Sequence, residues 1–269
     1  MAGTSAPGWG KPHAAGDGST PMCFSSSASF VVAAVLLPLG VASVRYCQAQ
    51  QRSDLLPLAL TPVFFSVQQA LEGLVWLGLE PGGAAWLVHP AALGYLFFAY
   101  AFWLAWLPWC GLRLGVHAPP PLRRWVLRSL LVLGLLAGAG LWLPLLIDGS
   151  LFQPAVVQGS LDYHTTLLAD RWINLGFGST VYGLIIAMPL MISASVRLRL
   201  FGGCLLVAFL ISHLAYGYAF TSVWCFFSAV LSASLPWILS DPQPLVIPAR
   251  SRWDLQVPSR FASGPPGQT

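Results

Sequence analysis

The chain alternates between long apolar runs and short polar connections, and seven of the runs approach the length needed to cross a bilayer. An α-helix rises about 1.5 Å per residue, so roughly 20 apolar residues span a hydrocarbon core about 30 Å thick. The predicted spans cover residues 24–44, 58–79, 86–107, 125–147, 173–194, 200–218 and 223–239. The pattern therefore predicts an all-α fold, a polytopic bundle of seven transmembrane helices.

The positions of the basic residues predict how this bundle is oriented. Cytoplasmic connections are enriched in Lys and Arg. With seven spans, eleven arginines fall on the side that holds the C-terminus, whereas only Lys11 and Arg171 fall on the other side. We expect an extracytoplasmic, disordered extension over residues 1–22, the membrane domain over 23–240, and a disordered cytoplasmic tail rich in proline and arginine over 241–269.

Composition agrees with a membrane protein and excludes several other classes. The 269 residues are 56% hydrophobic and 8% charged, against about 25% charged in soluble domains. We expect a multi-pass protein of the cell membrane whose surroundings are the lipid bilayer, and no nucleic-acid partner. The chain has no P-loop, HExxH, GxSxG or CxxC motif, and its one lysine lies before the first span. The usual signatures of nucleotide hydrolysis, zinc proteolysis and thiol redox chemistry are therefore missing.

The second span carries an acid at membrane depth. Gln68 and Gln69 precede Glu72 by four and three residues, so all three share one helix face, which Trp76 continues. A carboxylate in a membrane costs at least about 2.5 kcal/mol and marks a functional site by default. The alternative is that these side chains only hold helices together, which suits the glutamines better than the acid.

Other polar side chains fall on the same, outer half of the predicted bundle. His213 and Tyr216 lie near the outer end of the sixth span, and Trp224 begins the seventh. We expect them to line an outward-facing polar pocket with the second span, although an interhelical hydrogen bond for His213 and an interfacial aromatic belt for the other two are alternatives. Cys23, Glu72, His213 and Cys225 form a candidate set of metal ligands.

Three stretches resemble an uncharacterised family of bacterial integral membrane proteins. They are MCFSSSASF from Met22, the QQALEGLVW segment from Gln68, and SVWCFFSAVLSA from Ser222. Members of that family begin MCFS followed by ASF, carry a QQxxEGxxW helix and end on a WCFFAA-type helix. The resemblance covers residues 22–240, with Ser228 standing where the family pattern has alanine. It implies a multi-pass membrane protein without an established activity, and its motif positions include Cys23, Trp76 and Cys225.

Three functions fit these observations. The first is a pocket that binds or transports a small solute, a proton or a cation, since intramembrane Glu and His serve proton relays. The second is a metal-dependent intramembrane enzyme, a hydrolase or redox enzyme, in which the candidate ligand set holds zinc or copper. The third is a seven-helix sensor that passes a signal to the cytoplasmic tail.

Overall fold

The computed structural model describes residues 25–114, 121–166 and 175–240. This part of the chain is 81% helical, which confirms the prediction of a mostly helical protein. The predictions for the N-terminal extension, for Cys23 and for the C-terminal tail lie outside the described residues.

The helices follow the apolar runs with shifted boundaries. They are α1 Ser26–Ala49, α2 Leu56–Leu79, α3 Ala85–Phe97, α4 Trp103–Arg113, α5 Pro121–Ile147, α6 Leu175–Met191, α7 Val196–Ala215, α8 Phe220–Ser232 and α9 Leu235–Leu239. A π-helical segment, Phe98–Phe102, joins α3 to α4 without a break. The predicted seventh span is divided by a turn at Ala233 and Ser234, which separates α8 from α9. Pro236 has no backbone N–H to continue the α8 ladder, and it lies in the first turn of α9, where proline is tolerated.

Five helices are long and apolar enough to cross a membrane: Ser26–Ala49, Leu56–Leu79, Ala85–Arg113, Pro121–Ile147 and Val196–Ala215. Two shorter apolar helices, Gly178–Met191 and Gly217–Ser232, fall within the fifth and at the seventh predicted run. The structure therefore supports a membrane protein. The count of seven spans and the orientation of the termini stay predictions.

The described arginines all lie at one end of the bundle, which we call the arginine end. There the apolar side chains of Cys47, Leu55, Leu198 and Ile238 pack in one cluster, and Arg197 donates to the carbonyl of Trp237 at 2.8 Å. The eight arginines are Arg45, Arg52, Arg113, Arg123, Arg124, Arg128, Arg197 and Arg199.

The opposite end, which we call the loop end, carries the longer connections. Ser26 donates to Glu80 at 3.0 Å, so the start of α1 meets the end of α2 there. After α5, a short antiparallel hairpin pairs β1 Ala155–Val157 with β2 Ser160–Asp162. Gln158 and Gly159 both have positive φ, at 48° and 76°, which is the geometry of the tight hairpin turn. Leu161 and Tyr163 pack from this hairpin onto the helices beneath.

Two glycines of α5 bring this helix very close to α4 and to the π-helical segment that precedes it. A Cβ atom on Gly138 would lie 2.8 Å from the Cα of Ala101, and one on Gly134 would overlap the carbonyl oxygen of Leu104. Small residues at this spacing let helix backbones approach each other in a membrane. The approach fixes α4, and with it Trp103, against the centre of the bundle.

Candidate functional site

The carboxyl group of Glu72 lies in the interior of the bundle, two turns from the end of α2. Glu72 is 2% exposed, and Gln68 and Gln69 are completely buried. Ser222 donates to Oε1 of Glu72 at 2.5 Å. Gln69 donates to Oε2 at 3.1 Å, and Ser29 reaches the same oxygen at 3.5 Å. The shared helix face predicted from the sequence therefore holds, and it turns inward.

The donors to this carboxyl group come from three helices. Ser29 lies on α1, Gln69 on α2 and Ser222 on α8, separated from Glu72 by 43, 3 and 150 residues. These are the same three stretches of sequence that carry the family resemblance. The structure therefore brings the motifs together around one acid.

Each of the two glutamine side chains has one amide atom with a hydrogen-bond partner and one without. Oε1 of Gln68 accepts from the indole nitrogen of Trp103 at 2.7 Å, and this indole stacks on Phe65 with ring centres 4.0 Å apart. Nε2 of Gln68 and Oε1 of Gln69 are buried and have no hydrogen-bond partner within the described part of the chain. Buried amide atoms are normally paired, so the cluster has spare capacity to donate and to accept.

Glu72 has no cationic partner among the residues that the structure describes. Their ion pairs join Arg52 to Asp54 and His164 to Asp162, both outside the helices. The eight arginines lie toward the other end of the bundle. A buried carboxylate without a nearby cation is strongly unfavourable, so this environment favours the neutral, protonated form of the side chain.

An aromatic layer of two stacked tyrosines lies close to Glu72. Tyr95 is fully buried and stacks on Tyr163 with ring centres 4.9 Å apart and nearly parallel planes. The hydroxyl of Tyr95 donates to the carbonyl of Thr221 at 3.3 Å. Burial raises the pKa of the Tyr163 hydroxyl well above its usual range, and the nearby Glu72 charge raises it further. Tyr163 therefore stays neutral, and its buried oxygen has no partner in the described structure.

A cavity of about 660 Å³ lies beside Tyr163. Tyr163 and Cys225 line it, and both also pack in the cluster that contains Trp76 and Tyr95. Asp162, His164 and Thr165 supply polar groups at the loop end, and the aromatic side chains are Tyr100, Tyr182, Tyr218, Phe220 and Trp224. The cavity therefore ends within one layer of side chains of Glu72.

The remaining predicted site residues occupy different places. Trp76 and Trp224 are both 4% exposed. Trp224 lines the cavity, and its indole nitrogen is unpaired in the described structure. The ring of His213 contacts Phe209 and Phe220, at 6.0 and 5.8 Å between centres, rather than Glu72.

Tyr216 packs partly buried beside the same cluster as Trp76. Cys225 is a buried free thiol. Among the described residues, no three His, Cys, Asp or Glu side chains come together as metal ligands. Because Cys23 lies outside these residues, the metal site stays a prediction.

Sequence reasoning missed four residues of the site. Ser29 and Ser222 donate to Glu72, and Tyr95 and Tyr163 form the layer above it. A serine inside an apolar run is a weak signal, because it also bonds to its own helix backbone. The one available signal was that both serines fall inside the quoted motif stretches.

Comparison with known proteins assigns the chain to a family whose function is not known. Searches of curated proteins and of solved structures found no match. The match to the family covers residues 22–247, and so includes all three motif stretches and every described residue. The chain belongs to the family of unknown function DUF6629.

Proposed function

We propose that the protein is a membrane transporter or binding protein for a small solute or cation, in which Glu72 is the site of proton or cation exchange. The observation that carries this proposal is a fully buried carboxyl group with three hydrogen-bond donors and no cation beside it in the described structure. The cavity of about 660 Å³ is then the site of the solute.

Electrostatics supports a neutralised carboxyl group. A charged side chain at the centre of a membrane helix costs about 2.5 to 3.5 kcal/mol on insertion scales and more in simulations. Donated hydrogen bonds from Ser29, Gln69 and Ser222 offset part of this cost. They supply no positive charge, so a proton or a cation completes the site.

Access from the cavity to Glu72 depends on the two tyrosines of the aromatic layer. Tyr163 lines the cavity and stacks on Tyr95, and we infer that this pair closes the site from the cavity. Tyr163 belongs to the connection after the β-hairpin, which is not part of a membrane helix. A rotation of Tyr163 would join the cavity to the carboxyl group. Exchange at Glu72 would therefore be controlled by the hairpin end of the protein.

The first test observes the proton on Glu72 directly. The chain contains two glutamates, Glu72 and Glu80, so labelling with side-chain ¹³C-glutamate in Glu80→Gln leaves one labelled carboxyl group. Infrared spectroscopy should show a carboxylic acid band at neutral pH, or a carboxylate band that requires a particular cation in the buffer. A labelled carboxylate band that ignores both pH and cations would contradict the exchange site.

The second test measures movement across a membrane. Proteoliposomes that contain a pH-sensitive dye, or sodium or potassium indicators, report proton and cation flux under an imposed potential. Glu72→Gln keeps the shape of the side chain and should abolish the flux. Glu80→Gln removes the other glutamate, at the end of α2, and should retain it. Equal flux in wild type and Glu72→Gln would refute transport through this residue.

A further inference from the structure

A long apolar groove follows the lipid-exposed side of the α4–α5 pair. It encloses about 400 Å³. Trp106 and Trp109 line one wall, and Leu131, Leu135 and Leu143 line the other. Leu135 and Trp109 are 54% and 38% exposed. The close approach at Gly138 and Ala101 forms the floor of the groove.

The length of the groove matches one leaflet of a bilayer. Twelve residues separate Leu131 from Leu143 on α5, which is about 18 Å at 1.5 Å per residue. Half of a hydrocarbon core is about 15 Å. The groove therefore has the length of one extended lipid chain, and its lining is apolar along that length.

Exposed arginines stand where this groove reaches the arginine end. Arg113 follows Trp109 by one turn on α4, and Arg128 and Arg124 precede Leu131 by about one and two turns on α5. All three are exposed, and none forms an ion pair in the described structure. The described acid at that end, Asp54, is already paired with Arg52.

We propose that the groove binds one phospholipid with an anionic headgroup. One of its two acyl chains lies along the tryptophans and leucines, and its phosphate, which carries the net negative charge of the lipid, is held by Arg113, Arg124 and Arg128. Guanidinium groups bind phosphate through paired hydrogen bonds. The arginine bias predicts that this end faces the cytoplasm, where the leaflet surface carries the anionic lipids.

Native mass spectrometry of the detergent-purified full chain tests this site. The protein is titrated with phosphatidylglycerol and with phosphatidylcholine of identical acyl chains. We expect tighter binding of phosphatidylglycerol, and about fivefold weaker binding for each of Arg124→Gln and Arg128→Gln, from about 1 kcal/mol per arginine. Arg199→Gln removes an exposed arginine at the same end on α7 and should leave the affinity unchanged.

A second variant tests the groove itself. Ala139→Trp fills the groove beside Leu135 and should weaken the binding of both lipids equally, with an unchanged helix content by circular dichroism. Equal affinity for the two lipids in wild type would overturn the proposal, as would equal losses in Arg128→Gln and Arg199→Gln. A dimer that Ala139→Trp disrupts while lipid binding persists would instead assign the groove to a second copy.

Discussion

Ser222 and Ser228 offer a matched pair for testing whether Glu72 depends on its neighbours. Both are buried on α8, at 1% and 5% exposure. The hydroxyl of Ser222 donates to Glu72, whereas the hydroxyl of Ser228 has no partner in the described structure. Changing either to alanine removes one oxygen atom from the same helix. The two variants should nevertheless change the free energy of unfolding in different directions.

The magnitudes follow from these contacts. Hydrogen bonds to charged groups contribute about 1.5 to 3 kcal/mol in soluble proteins, and interhelical bonds in membranes average about 0.6 with a maximum near 1.7. We expect Ser222→Ala to lower the free energy of unfolding by about 1 to 2 kcal/mol. Burial of an unpaired hydroxyl costs about 1 to 3 kcal/mol, so Ser228→Ala should be neutral or stabilising by about 1 kcal/mol.

Unfolding in mixed micelles of sodium dodecyl sulfate and a mild detergent, followed by circular dichroism, measures both variants. Ser222→Ala in a Glu72→Gln background completes a double-mutant cycle, whose coupling energy isolates the contact. Equal destabilisation by Ser222→Ala and Ser228→Ala, or a coupling energy near zero, would refute the reasoning. In that case Ser222 would act only as a small residue between helices.

Other predictions concern packing, pH and metal. Gly134→Ala should destabilise the protein by about 1 to 3 kcal/mol, because a methyl group there meets the Leu104 carbonyl. Gly140→Ala on the same helix meets nothing within 4 Å and should be neutral or stabilising in the same assay. Hydrogen bonds from Ser150 lower the pKa of Asp148. The ionised Asp148 therefore adds stability at pH values above its unfolded-state pKa of about 4, and this stability is lost as pH falls through the lower pKa of the folded state. The free energies of unfolding of wild type and Asp148→Asn should therefore converge in acid. Elemental mass spectrometry should find about one zinc or copper per chain, lost in Glu72→Gln and His213→Ala, if the metal prediction holds; metal-free wild type would contradict it.

The sequence predicted the helices well because the signal for a membrane helix is local. Apolar runs located all seven candidate segments, but no apolar count shows the π-helical segment at Phe98–Phe102 or the hairpin at residues 155–162. The divided end of the seventh run had a readable signal in Pro236, which cannot donate to the preceding turn and favours the start of a new helix. Boundaries shifted elsewhere because α1 continues through Arg45 and Gln48, and α5 already includes Arg123 and Arg124 before its apolar run.

In the candidate site, too, only the local features could be predicted from the sequence. Gln68, Gln69 and Glu72 share a face by helical periodicity, which the five consecutive residues 68–72 are enough to establish. The partners of Glu72 are chosen by tertiary packing, up to 150 residues away. Counting residues gives the depth of His213 in the bundle. It cannot say which side of α7 faces Glu72, and the ring contacts Phe209 and Phe220.

The separation between Glu72 and Ser222 has a consequence for biosynthesis. Chains emerge from the ribosome at about 5 to 20 residues per second, so the 150 residues between them take about 8 to 30 s to make. During that interval Glu72 has only Ser29 and Gln69 as donors from the first two helices. The nascent pair of helices α1 and α2 therefore lacks one of the three donors to Glu72 until α8 has been made. The arrival of Ser222 completes the set of donors to this carboxyl group.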